Sequence, residues 1–260
     1  MTRVIRRAAI APALGALLFV AAPAHADPQN LNRDLPLSFE DATPIEQGKT
    51  DAQASARWES GEDGDDLLTL EPQVQFGVAK DVQLGVSMPL IAGEGDRSGS
   101  GDIETELIWN FMKGDESTPS LALLAGVILP TGHSNDGLDT RLGLLLSKGI
   151  KGGTSADNES GEHRVHLNVI WDHNSAERSD ERRDRLSAAF GYSWHYDEDT
   201  ALLADLVRTY ERQEGQESTV LEFGVLRAIN DKLDGAAGIG FGLGDESPDV
   251  QLTLGVQYSF

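Results

Sequence analysis

Val250-Gln251-Leu252-Thr253-Leu254-Gly255-Val256-Gln257-Tyr258-Ser259-Phe260 is the stretch whose reading decides the fold. Apolar and polar residues alternate through it without a break. Leu252, Leu254, Val256, Tyr258 and Phe260 share one face; Thr253, Gly255, Gln257 and Ser259 share the other. A period of two is the mark of a strand. Final residues of a soluble domain are usually loose and polar. An amphipathic strand finishing on an aromatic residue suits a barrel that closes by pairing its last strand with its first. The apolar face then meets lipid and the small polar face meets the lumen. The alternative is the edge strand of a water-soluble sandwich.

The opposite terminus points to the same compartment. Arg3, Arg6 and Arg7 precede an apolar run from Ala8 to Ala22, and Ala24-His25-Ala26 supplies small residues for a signal peptidase. Residues 1–26 are therefore expected to be a secretory signal peptide cleaved near Ala26. No later segment has 18 consecutive apolar residues, so no transmembrane helix is expected. The chain carries a net charge of −22, which speaks against nucleic-acid binding by counterion release. It has no cysteine, which excludes a disulfide framework.

Between the termini the chain divides into segments of about ten residues separated by turn chemistry. Strands are expected near 50–59, 67–79, 82–92, 102–113, 120–129, 141–149, 163–172, 185–196, 201–211, 218–229, 233–243 and 250–260. The fold class expected is all-β, a closed antiparallel transmembrane barrel of about 12 strands, occupying residues 45–260. An even number places both chain ends on the periplasmic side. The long connection Ile150–Glu162 falls where a short turn is expected and leaves the count open by about two. Residues 27–44, with Pro28, Pro36 and Pro44, form a periplasmic lead-in or a plug. Leu35, Leu37 and Phe39 alternate there, which allows it to enter the lumen or to pack at the rim.

Strand parity assigns the faces. Arg57, Gln73, Gln75, Glu104, Glu106, His166, Asn168 and Glu222 fall on the inward face and are the candidate lining of a solute pathway. Buried unpaired in a soluble core, each would cost several kcal/mol. The acidic excess of this set predicts that cations or neutral solutes pass more readily than anions. Trp58, Trp109, Trp171, Tyr192, Trp194 and Tyr196 fall outward near strand ends, as an interfacial girdle requires.

The segment Val127-Ile128-Leu129-Pro130-Thr131-Gly132, followed by Leu142-Gly143-Leu144, Ser147-Lys148 and His166-Leu167-Asn168, resembles the "putative MetA-pathway of phenol degradation" family. Asp81-Val82-Gln83-Leu84-Gly85-Val86-Ser87-Met88-Pro89-Leu90, Gly101-Asp102-Ile103 and the terminal Leu254–Phe260 fit it too. The resemblance implies an outer-membrane barrel and uptake of small, often aromatic or hydrophobic, compounds. It supplies no catalytic residues. The terminal strand also resembles the C-terminal assembly signal of bacterial outer-membrane barrels, which implies recognition of Tyr258 and Phe260 by the barrel-assembly machinery.

Other chemistry is weaker. Gly238-Ile239-Gly240-Phe241-Gly242-Leu243-Gly244 looks like a nucleotide loop but lacks the following helix. It reads as a strand whose inward glycines serve curvature, or less readily the close approach of a plug. His133-Ser134-Asn135-Asp136 puts its His and Ser on opposite faces, which a nucleophile and its base cannot share. His163, His166, Asp172 and His173 lack the spacing of metal ligands on one strand face. The reading is thus a channel or transporter without catalytic residues, metal or cofactor, whose partners are outer-membrane lipid and a small solute. The alternative is a structural or surface barrel with a filled lumen and acidic, cation-binding loops.

Overall fold

The computed structural model describes residues 31–60, 66–93, 98–115, 117–132, 137–150, 162–176 and 180–260. The signal-peptide expectation, the His133-Ser134-Asn135-Asp136 loop and most of the Ile150–Glu162 connection lie outside them. Fourteen strand segments follow in order: β1 (Thr50–Ser60), β2 (Leu67–Ala79), β3 (Val82–Ser87), β4 (Leu90–Gly93), β5 (Gly99–Ser100), β6 (Ile103–Met112), β7 (Ser120–Leu129), β8 (Asp139–Ile150), β9 (His163–His173), β10 (Asp184–Asp197), β11 (Thr200–Tyr210), β12 (Glu217–Asn230), β13 (Leu233–Gly242) and β14 (Val250–Ser259). Every neighbouring pair is antiparallel, and β1 pairs with both β2 and β14, so the sheet closes on itself. At the seam Asp51 faces Ser259 and Ser60 faces Val250. The Phe260 amide adds a bond to the Thr50 carbonyl at 3.0 Å.

The barrel has twelve staves, because β3 with β4 and β5 with β6 are each one stave with a break. The sequence reading treated the first as one continuous strand, 82–92, and began the second only at 102, leaving β5 in the loop before it. Met88-Pro89 interrupts the first, since proline has no amide to give the ladder. Gly101-Asp102 interrupts the second, and the Gly101 amide bonds to the Pro89 carbonyl at 2.7 Å across the gap.

Alternation sets the two faces, as a strand dictates. Leu252, Leu254, Val256 and Tyr258 are exposed outside, Leu254 at 65%, in company with Leu142, Leu186, Phe190, Leu206 and Phe223. A soluble sandwich would bury that face. Trp58 and Trp171 lie outward near the rim opposite the chain ends. Trp109, Tyr192, Trp194 and Tyr196 lie outward near the rim that carries those ends, with Trp194 and Tyr196 edge to face at 5.4 Å. The protein's buried core is inside the barrel. Part of it is apolar: Ala189, Ala201, Leu203, Leu226 and Ala236 form one cluster, and Ile108, Ala122, Leu124 and Leu145 form another. Strand β7 is apolar on both faces because its inner face supplies Ala122 and Leu124 to the second cluster.

Candidate functional site

What completes both apolar clusters is the segment before β1. Leu31, Leu35, Leu37 and Phe39 belong to the first, and Ala42 to the second. All are buried inside the barrel, at 2% exposure or less. Residues 31–49 are a plug.

The plug travels round the inner wall against the order of the strands. It turns on itself first: the Asp41 amide bonds to the Leu31 carbonyl at 2.9 Å, and Asp34, at φ 67°, sits in the tip. Leu35 presses on β14 at Gly255, and Pro36 and Leu37 press on β12 and β13 at Gly224 and Gly238. The Ser38 amide donates to Asp205 and Glu222, both at 3.1 Å. Phe39 covers Gly191 on β10 and packs at a tilt against His166 of β9 with ring centroids 4.6 Å apart. Asn168 accepts from the Glu40 amide at 2.7 Å and donates to the Glu40 carbonyl at 2.9 Å. The Ala42 amide reaches Ser147 of β8 at 3.0 Å, the Ala42 carbonyl accepts from Asn110 of β6 at 2.6 Å, and the Ile45 amide reaches Gln83 of β3 at 3.0 Å. The Gly48 amide then bonds to the Gly77 carbonyl of β2 at 2.8 Å before β1 begins. An irregular segment has no ladder of its own, so its amides must find wall side chains or remain unsatisfied at about 1–3 kcal/mol each. Here polar wall side chains take that role for Ser38, Glu40, Ala42 and Ile45.

Glycines of the wall make room for it. A Cβ on Gly191 would lie 2.6 Å from Cγ of Phe39, and one on Gly238 would lie 3.1 Å from the Pro36 carbonyl. At Gly238 the reason is therefore the approach of the plug, the reading the sequence favoured less. Gly240 and Gly242 are crowded instead by Val220 and Pro248. Substituting Gly191→Val is expected to push Phe39 off the wall, lower stability by about 1–3 kcal/mol, and raise ion conductance in planar bilayers. Unchanged conductance would mean that the plug can shift without opening a path.

Above Phe39 the plug and wall are tied by charge. Arg33 Nη2 holds both carboxylate oxygens of Glu106, at 2.8 and 2.9 Å. Arg141 Nη1 bonds Glu104 and Glu106, each at 2.7 Å, and its Nε bonds Asp172 at 2.7 Å. Arg57 Nη2 holds Asp34 at 2.6 Å. The chain Asp172–Arg141–Glu106–Arg33–Asp34–Arg57 thus crosses the lumen through the plug. Arginine suits this work because its fixed fork serves two carboxylates at once.

All eight residues expected to line the lumen face it. Five of them contact the plug directly: Arg57, Glu106, His166, Asn168 and Glu222. Glu104 joins through Arg141, and Gln73 and Gln75 lie on β2 beside β1. His166 is held between Ser147 and Ser193 at 2.9 and 3.0 Å. His163 meets Tyr192 outside the barrel, and His173 meets Asp184. Among the described residues no group of three or more His, Cys, Asp and Glu converges as a metal site would. Strand parity already placed Arg141 and Arg185 inward, yet the sequence reading did not name them; the plug residues Arg33 and Asp34 carried no periodic signal.

The plug leaves a cavity on each of its sides among the described residues. One of about 720 Å³ opens at the rim bearing the chain ends, lined by Thr43, Ile45, Lys80, Lys113, Lys148 and Arg164 among others. The second, of about 290 Å³, lies on the far side of the plug, lined by residues including Arg33, Asp34, Arg57, Glu71, Glu104, Arg141, Asp172 and Arg185. Four arginines and four acids line it, and Glu106, held by Arg33 and Arg141, adjoins them, so most of the charge in this vestibule is paired. Arg33, Arg141 and Arg185 add positive charge beside the acidic lining expected from sequence.

The family model described as "Putative MetA-pathway of phenol degradation" matches residues 55–260. The chain belongs to that family. No curated protein matches this member of the MetA-pathway family. Among solved structures, an outer-membrane channel of Pseudomonas putida F1 superposes with a TM-score of 0.63 at 15% identity, over 86% of this chain and 100% of the other. The KdgM porin follows at 0.56 and 12%, over 81% and 99%, and the NanC porin at 0.53 and 11%, over 80% and 98%. At such identities these likenesses establish the fold, an outer-membrane barrel. None of the three is an enzyme.

Proposed function

We propose that this protein is an outer-membrane channel for passive uptake of small solutes, hydrophobic and aromatic compounds among them. The observation that carries the reading is a closed barrel whose polar interior keeps a cavity on each side of one thin plug layer, Phe39–Ala42. Family membership and the channel and porin fold support it. Export through the signal peptide 1–26, with cleavage near Ala26, and recognition of Tyr258 and Phe260 by the assembly machinery would bring it there. Trp58, Trp109, Trp171, Tyr192, Trp194 and Tyr196 would then sit at the two lipid interfaces. Twelve staves fall between the eight that side chains fill and the sixteen that leave an aqueous pore, so a partly filled lumen is the physical expectation.

One observation favours the second reading, a structural barrel with its lumen filled: the plug bonds or packs against almost every stave. Swelling of liposomes carrying the mature protein separates the two. A channel gives swelling with small solutes such as glycine or arabinose that falls steeply with solute size. No swelling with any of them assigns the protein to the filled-barrel class.

A further inference from the structure

The vestibule has a side that the ion-pair chain does not use. On β9, β10 and β11 the inward residues pair in register: Arg185 with Asp172, Ser187 with Ile170, and Ala189 with Val207. All of these, and Thr209 above Val207, line the same 290 Å³ cavity. Asp172, the natural partner of Arg185 across the strands, is turned to Arg141, which holds it at 2.7 Å. The Nε of Arg185 is buried with no hydrogen-bond partner among the described residues. Glu211 feels the charge of Arg185 without bonding it.

We propose that this corner binds a small organic carboxylate with an apolar body. Arg185 takes the carboxylate, Ser187 and Thr209 offer hydroxyls beside it, and Ile170, Ala189 and Val207 receive the hydrocarbon. The chemistry follows from what is left unsatisfied. A buried guanidinium N–H without an acceptor is costly, and the planar fork of arginine matches a carboxylate in two places. Glu104, Glu106 and Asp172 are held by Arg141, and Asp34 by Arg57; Glu71 lies on the same lining, and Glu211 acts on Arg185 by charge without a hydrogen bond to it. An anion entering the vestibule therefore finds the Arg185 Nε–H without an acceptor. An apolar wall with a few convergent polar groups is the usual make-up of a small-molecule site, and it disfavours a bare inorganic anion. The proposal rests on the channel reading for its meaning, since it names the class of solute that the pathway would select.

Benzoate is the probe, with acetate and benzyl alcohol as controls, measured by equilibrium dialysis against the folded mature protein in detergent. Saturable benzoate binding is expected, with acetate and benzyl alcohol each at least about tenfold weaker, because each keeps only half of the recognition. Arg185→Gln should weaken benzoate binding by about tenfold or more, and Arg185→Lys by less. Heat-modified gel migration checks that each variant is folded. Benzoate binding unchanged in Arg185→Gln, or absent from the wild type, overturns the proposal, and acetate binding as well as benzoate overturns the apolar half of it. Liposome swelling with neutral solutes is scored separately. Swelling without benzoate binding leaves the channel and removes the site; benzoate binding without swelling keeps the site and removes the channel.

Discussion

Deletion of residues 31–47 is expected to turn a weakly conducting barrel into an open pore, with unit conductance in planar bilayers rising by about an order of magnitude. The deletion leaves Gly48 and Lys49 to enter β1, so the seam between β1 and β14 keeps its full register. Closure of the barrel depends on ladders between neighbouring staves, none of which contains a plug residue. The plug contributes differently. Leu31, Leu35, Leu37 and Phe39 are shielded from water by the wall and shield Ala201, Leu203 and Leu226 in return. Each large side chain of this kind is worth roughly 1.5–3 kcal/mol on burial, as an upper bound. The truncated barrel should therefore still migrate as a folded species but unfold at a lower temperature. If conductance stays at the wild-type level while the barrel is folded, the plug is not the barrier and the constriction lies elsewhere in the wall.

That experiment aims at the part of the molecule the sequence shows least. The staves were legible because period-two alternation is local, and each is long enough to display it. Leu186, Ala188, Phe190, Tyr192, Trp194 and Tyr196 announce β10 and its outer face without reference to anything else. The plug has no such signal. Its amides are satisfied by residues more than a hundred positions away, such as Asn168 for Glu40 and Ser147 for Ala42. A segment organised by distant partners shows only prolines and a short Leu35, Leu37, Phe39 alternation in its own sequence. One indirect mark was present. Inward glycines at 191, 224, 238 and 255 lie on separate strands, and each marks a spot where something must come close. The ion pairing of the vestibule was hidden for a related reason. Arg141 and Arg185 lie near the starts of their strands, where alternation is just beginning, and the pairing of Arg141 shows only once Arg33 arrives from the plug to share Glu106. The break at Met88-Pro89 was masked by alternation that resumes on either side, and β5, two residues long in a glycine-rich stretch, was too short to show a period.

Arg141→Ala should have the largest effect of any single substitution in the lumen, and it should act on two properties that can be read apart. Arg141 is the sole described partner of Asp172 and Glu104 in ion pairing and shares Glu106 with Arg33. Its side chain is 14% exposed, and those of Asp172 and Glu106 are 8% and 10% exposed. Removing one member of a buried ion network costs about 3–5 kcal/mol in the general case, because the carboxylates left behind are desolvated and uncompensated. An adjoining vestibule that admits water reduces this, and a loss of about 2–3 kcal/mol is the expectation here. Selectivity should shift as well. Four arginines against four acids become three against four in the vestibule lining, so the reversal potential across a potassium chloride gradient should move toward cation preference. Arg141→Lys distinguishes the two effects. It restores the charge, so the reversal potential should return to near the wild-type value. It cannot restore the fork that holds Asp172 through Nε while Nη1 serves the glutamates, so much of the lost thermal stability should stay lost. A lysine variant as stable as the wild type would show that charge alone, and not the geometry of the guanidinium, ties the plug's anchor to the wall.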